Sequence, residues 1–284
     1  MSRADQFESV FRAAARQPFV YRPVAIRSVL TVTDLPGGEA ESFTGEVRGF
    51  LSVLGDGIAW RTLTNDDYST VQSLLDIVEA GRPDLICVYR NLLSAAWRFP
   101  HTLGDHVEVL TQVTDVPVLV LPHPEAGRTA GHAMRNTDTV MAITDHLVGD
   151  DRLVNCAARF TSRGGRLLLA HVEDQLPFER IMDVISKIQE IDTDLARTRI
   201  GKRLLKEAGA FIDSCRAELA RHELDVTVEQ MVSFGHRLRE YESLVENHGV
   251  DMLVFHTKDD DQLAMHGLAH PLAVQLRHVP LLMI

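Results

Sequence analysis

One series of short apolar runs occurs twice along the 284 residues, in the same order. Ile26–Asp34 (IRSVLTVTD) is matched by Thr137–Asp145 (TDTVMAITD), both rich in β-branched residues and both ending in Thr-Asp. Pro83–Tyr89 (PDLICVY) is matched by Val250–Phe255 (VDMLVF), and Val116–Leu121 (VPVLVL) by Val279–Ile284 (VPLLMI). None of the runs alternates, which is the pattern of parallel strands buried on both faces. Helical patterns such as Tyr68–Gly81 and His236–Gly249 lie between them, each ending in a Gly suited to a C-cap. Parallel strands need crossover connections, so the alternation predicts α/β units with open, mainly parallel sheets, two of them in tandem.

The Pro-, Gly- and Ala-rich stretch Pro122–Arg135 is the natural linker. The expected division is an N-terminal segment 1–23, a first unit 24–122, a linker 123–136 and a second unit 137–284. In the N-terminal segment Phe7, Val10, Phe11 and Ala14 recur at helical spacing. The first unit passes from a helix around Glu41–Leu54 to Gly57–Leu63, which lines up with Asp225–Val232, so it lacks one strand-helix pair. The sheet edge this leaves is one the N-terminal segment is expected to cover. The second unit has an added strand, Gly165–Glu173 (GRLLLAHVE), and a long helical region, about 178–222. There Ile181, Val184, Ile185, Ile188 and Ile191 form a stripe, continued by Leu204, Leu205, Phe211 and Ile212, that is expected to face the core for most of its length. A break is expected near Glu190–Asp194, because an unbroken helix of that size would span ~65 Å. The basic group Arg197, Arg199, Lys202, Arg203 and Lys206 leaves a partner surface or dimerisation arm as the alternative.

Composition narrows the function. Lys and Arg number 29 against 40 Asp and Glu, a formal net charge of −11, which disfavours nucleic acid and anionic membranes. The cysteines Cys87, Cys156 and Cys215 are scattered, neither a disulfide framework nor a zinc ribbon, and suit a reducing cytoplasm. No apolar stretch reaches the ~18 residues of a membrane span, and the charged N-terminus does not read as a signal peptide.

These strings together resemble the universal stress protein (Usp) family, as a tandem of two Usp domains over roughly residues 24–122 and 136–284. The resemblance rests on the strands ending in Asp34 and Asp145, on LLLAHVE, on DLICV and DMLVF, and on the closing VPVLVL and VPLLMI strands. It implies an open sheet related to adenine-nucleotide-binding folds. In the family's ATP-binding branch the first-strand Asp approaches the nucleoside. A Gly-x2-Gly-x9-Gly-Ser/Thr stretch after the fourth strand wraps the phosphates, since glycines let backbone N–H groups come close to phosphate oxygens.

Both copies depart from that pattern. The family's closing Gly falls at Gly104 and Gly267, but Arg90 to Pro100 contains no glycine, and Asp105 and Leu268 stand where Ser or Thr is expected. Asp259, Asp260 and Asp261 follow the second copy's fourth strand, and adjacent carboxylates repel a polyphosphate unless a divalent metal intervenes. The expected ligand clefts lie beyond the carboxyl ends of the strands, with Asp34, Gly104 and Asp105 in the first copy and Asp145, His146, His171, His256 and Gly267 in the second. His256, Asp259, His266 and His270 have the composition of a zinc site, against which stands the simpler reading of packed and solvated side chains. Arg90 and Arg98 flank Trp97, either as an anion clamp or as a solvated loop. No GxSxG, HExxH, Walker or GxGxxG signature is present.

The reading is therefore a cytoplasmic, non-enzymatic stress or regulatory protein that does not bind ATP through the glycine motif. Its halves are expected to pair as an intramolecular pseudo-dimer through the final strands, and a homo-oligomer or another protein is the further partner. An altered site for ATP or AMP, with weak hydrolysis, and a His/Asp metal module are the alternatives.

Overall fold

The computed structural model describes residues 18–95, 102–124, 134–143, 149–257 and 267–284. All the strands join in one nine-stranded sheet of order β2-β1-β3-β4-β9-β8-β5-β6-β7. One half holds β1 (Ser28–Val32), β2 (Ala59–Leu63), β3 (Leu85–Tyr89) and β4 (Val118–Leu121). The other holds β5 (Thr139–Ile143), β6 (Gly165–Asp174), β7 (Val226–Gly235), β8 (Met252–Phe255) and β9 (Leu281–Met283). Pairing within each half is parallel. The halves meet where β4 and β9 pair antiparallel, Val118 opposite Met283 and Val120 opposite Leu281.

Burial follows position in the sheet. β3, β4, β5, β8 and β9 are buried at every residue, which is why their sequences are unbroken apolar runs. The outer strands β2 and β7 carry exposed and half-buried residues. The abbreviated first half has four strands to the other's five. Its β2 lies directly against β1, the place β6 holds beside β5, whereas the sequence aligns it with β7.

Equivalent aspartates start the two halves in the same way. Asp84, just before β3, accepts from the Ser28 backbone N–H at 2.9 Å and returns its own N–H to the Ser28 carbonyl. Asp251, just before β8, does the same with Thr139, accepting at 2.8 Å. Each carboxylate thereby satisfies the first amide of the neighbouring strand, a donor that would otherwise be left without a ladder partner.

The helices of the first half are α1 (Gly37–Phe50), α2 (Val71–Gly81) and α3 (Asp105–Val113), with a 3₁₀ turn at Ser52–Leu54. Those of the second are α4 (Asp151–Phe160), α5 (Gln175–Ile185), α6 (Thr193–Arg221), α7 (Arg237–His248) and α8 (Ala269–Gln275). Gly249 caps α7 in the left-handed conformation, while α2 is capped by Arg82 one residue beyond the expected Gly81. The long helical region breaks over 186–192, and the Asp192 side chain caps α6 by accepting from Leu195 N–H.

One expectation is corrected. The stripe on α5 and the break after it does not face the core: Ile181, Val184, Ile188 and Ile191 are 52, 62, 42 and 41% exposed. Other residues pack inward, Phe178 and Met182 on α5 and Ala208, Phe211, Ile212, Cys215 and Leu219 on α6. A helical period identifies an apolar face but not whether anything lies against it. Of the N-terminal segment expected at the first half's edge, residues 18–23 are described. They cross α4 and α6, where Phe19 N–H donates to Ser214 Oγ, Arg22 N–H to Asn155 Oδ1, and the Phe19 ring meets Phe211 edge-on at 6.3 Å. Arg159 of α4 donates to the carbonyls of Val53 and Leu54, tying the two halves on the helical face as well. The expected N-terminal helical stripe lies outside the described residues.

Candidate functional site

Register puts the first cleft together. Val32 of β1 lies opposite Val88 of β3, so Thr33 and Asp34 emerge beside Tyr89 at the strands' carboxyl ends. The Tyr89 hydroxyl donates to Asp34 Oδ1 and accepts from the Asp34 backbone N–H at 3.1 Å. The other carboxylate oxygen accepts from the Leu93 N–H at 2.8 Å. Tyr68 donates to the Thr33 carbonyl at 3.1 Å and meets His106 edge-on. His123, just past β4, stands against the Tyr89 ring at 5.2 Å. Asp34, Leu35, Tyr89, Leu93, Ser94, Ala95, His123 and Pro124 enclose about 270 Å³, below the ~300–1,000 Å³ typical of pockets for drug-sized ligands.

The segment after β3 folds back into this cleft. Asn91 and Leu93 both adopt left-handed backbone conformations, and Asn91 N–H donates to the Leu103 carbonyl at 2.6 Å. Asn91 thereby lies on Gly104, the N-cap of α3, so closely that a Cβ at Gly104 would sit 2.7 Å from the Asn91 Cα. Gly104 is needed for that contact and for its φ of +89°. The start of α3 is already engaged: Glu108 Oε1 accepts from Thr102 Oγ1 at 2.7 Å and from Leu103 N–H at 3.2 Å. Asp105, the first residue of α3, is exposed beside it. An incoming phosphate would meet two carboxylates at this helix end instead of free amides.

Electrostatically Asp34 sits among neutral donors, with Asp105 and Glu108 at the start of α3 beside it. Burial, followed by the nearby Asp34 charge, pushes the Tyr68 phenol far up, and burial with the Asp34 hydrogen bond does the same to Tyr89. Burial holds the His106 imidazole below its usual range, against the opposing pull of Asp105 and Asp34. Both phenols therefore keep their protons at neutral pH.

The second half's candidates do not converge. His256 Nε2 lies 2.8 Å from Asp150 Oδ2, and the other oxygen of Asp150 caps α4. His171 is buried in β6 with Nε2 3.2 Å from Glu173 Oε2, and its Nδ1 has no partner among the described residues. His270 on α8 turns across the junction to Glu108, at 3.9 Å. Gly267 forms a left-handed turn ahead of α8. Asp145, His146, Asp259 and His266 lie outside the described residues, as do Trp97 and Arg98. Among the described residues no three His, Cys, Asp or Glu side chains are grouped to hold a metal.

Sequence reasoning named Asp34 and Gly104 but missed Tyr89, Tyr68, His106 and His123. The available signal was the Tyr that ends PDLICVY, where the second copy has Phe255: a hydroxyl opposite the first-strand Thr-Asp. Arg90, read from the sequence as either an anion clamp or a solvated loop residue, is 3% exposed.

No protein-family model matches the sequence, and no curated protein does. Solved structures do match. A functionally unknown protein from Pseudomonas aeruginosa PAO1 aligns over 92% of this chain and 92% of its own, at 12% identity and TM-score 0.51. A protein assigned as a universal stress protein, from Pseudomonas aeruginosa UCBPP-PA14, aligns over 92% and 93%, at 13% identity and TM-score 0.52. A universal stress protein from Archaeoglobus fulgidus DSM 4304 aligns over 97% and 88%, at 13% identity and TM-score 0.48. No helix among the described residues is long and apolar enough to cross a membrane. The UCBPP-PA14 alignment, nearly end to end, shows that this chain has the universal stress protein fold.

Proposed function

We propose that this chain is a non-enzymatic stress or regulatory protein built as a tandem of two Usp-like domains, working without ATP held by the glycine motif. The observation that carries this reading is the occupied first cleft: Asp34 is bonded by Tyr89 and by Leu93 N–H, and Asn91 packs on Gly104. The groups that would receive a nucleotide are spent on the protein itself. Support for the tandem is the repeated Asp84 and Asp251 pairing, and support for an intramolecular pseudo-dimer is the β4–β9 ladder, which pairs two strands that would otherwise be open edges. A cytoplasmic setting accords with the free and buried Cys87, Cys156 and Cys215.

Thermal melting with and without Mg-ATP, AMP and zinc tests the reading, since a ligand that binds only the folded state raises the melting temperature. The expected result is no saturable rise with Mg-ATP. A saturable rise lost in Asp34→Ala would overturn it.

A further inference from the structure

Arg90 lies at the carboxyl end of β3, next to the junction of the two halves, and is 3% exposed. Its backbone N–H continues the ladder to the Leu121 carbonyl. Its Nη2 donates at 2.7 Å to the carbonyl of Leu276, in the turn between α8 and β9. That turn comes from the other half of the chain. It reaches Arg90 because β9 runs antiparallel to β4, so the start of β9 lies at the carboxyl end of the first half's strands. The rest of the guanidinium is unspent: Nε and Nη1 are buried without a partner among the described residues. The next residue of the turn, Arg277, also has a buried Nε without a partner.

No carboxylate among the described residues offsets Arg90. The one charge felt there is the like charge of Arg277, which with burial depresses the Arg90 pKa to about 9, burial being the larger cause. A guanidinium stays protonated in water across the physiological range, so it cannot avoid the cost of burial by losing its proton as a lysine does. Two guanidiniums close enough to repel, with buried unused donors and no counter-charge among the described residues, form an unfavourable arrangement unless an anion joins them.

We propose that Arg90 and Arg277 form a binding site for a small oxyanion of the phosphate class, assembled from both halves of the chain at the β4–β9 junction. A tetrahedral oxyanion suits planar guanidinium donors, and its charge relieves the repulsion between the two cations. The anion bridges a strand end of one half to the α8–β9 turn of the other, so its binding strengthens the junction. The site is separate from the glycine motif and stands whether or not Mg-ATP is excluded.

The test is calorimetric and thermal titration with orthophosphate, with potassium chloride at matched ionic strength as the control. The expected result is saturable heat, and a melting rise of about 4 °C at a hundredfold excess over Kd. Arg277→Gln, at a half-buried position, is expected to weaken binding at least tenfold, and Arg90→Met to abolish it. Three outcomes overturn the proposal. One is no phosphate response while Arg90→Met melts at or above the wild type, which would mark Arg90 as a tolerated buried charge. Another is an equal response in wild type, Arg277→Gln and Arg90→Met, an effect of salt on the whole protein. The third is no phosphate response together with destabilisation by Asp259→Asn, Asp260→Asn and Asp261→Asn combined, which would make the chain's own carboxylates the counter-charge. If Arg90→Met does not fold, a wild type without saturable phosphate heat, or an equal response in wild type and Arg277→Gln, overturns the proposal.

Discussion

Gly104→Ala concentrates the account of the first cleft in a single methyl group. Gly104 has φ +89° and ψ 144°, a region essentially reserved for glycine and costing any other residue ~1–3 kcal/mol. The added Cβ would also stand 2.7 Å from the Asn91 Cα. Backbone cannot swing aside as a flexible side chain does, so the segment after β3 must shift, with an overpacking cost of ~1–3 kcal/mol. Together these predict a loss of about 2–6 kcal/mol in stability. With an unfolding entropy of ~2.1 cal/mol/K per residue, that is a melting decrease of about 3–10 °C for a chain of this length. Guanidinium chloride unfolding followed by circular dichroism gives the value. The control is Gly45→Ala, on the exposed face of α1 with nothing within 4 Å of its Cβ, expected to gain ~0.5–1 kcal/mol. A Gly104→Ala protein within about 0.5 kcal/mol of the wild type would refute the packing of Asn91 on Gly104.

Further predictions follow from the paired aspartates and the exposed stripe. Asp251→Ala leaves the buried Thr139 N–H without its acceptor and should cost about 2–3 kcal/mol by chemical denaturation. The half-exposed Asp84→Ala should cost less, and equal or reversed effects would contradict the burial difference. The Arg27 backbone N–H, with Ser28, holds the Asp84 carboxyl below its usual range, outweighing the small upward effect of burial. A lowered folded-state pKa gives stability that is complete above the unfolded value of ~4 and is lost as pH falls through the folded one. The stability gap between wild type and Asp84→Ala is therefore expected to be full at neutral pH and to shrink below pH ~4; a gap that widens there would have the sign wrong. Val184→Asp, at a position 62% exposed on α5, should change stability by less than ~0.5 kcal/mol. A loss several times larger would mean that this face is covered.

What the sequence reveals here depends on how local each constraint is. A strand buried on both faces must be apolar at every position, so β3, β4, β5 and β8 are readable from their own residues. The pairing that brings Tyr89 to Asp34 depends on the register between β1 and β3, two strands more than fifty positions apart, and no local pattern carries it. Arg90 misleads for the same reason, because a charged residue after a strand reads as a loop unless the α8–β9 turn above it is known. Asp34 and Gly104 were legible through the family resemblance, which sets an Asp after the first strand and a closing Gly ahead of the helix that leads to the last one. The Ile181–Ile191 stripe was legible as a helical face but not as a solvent-facing one.

The Leu93 amide reports most directly on the central claim, that the protein's own backbone occupies the Asp34 position where a nucleotide would bind. Hydrogen exchange at that amide, measured with and without Mg-ATP, is expected to be slow and unaffected by the nucleotide. Fast exchange in the free protein, or a saturable change on adding Mg-ATP, would contradict it.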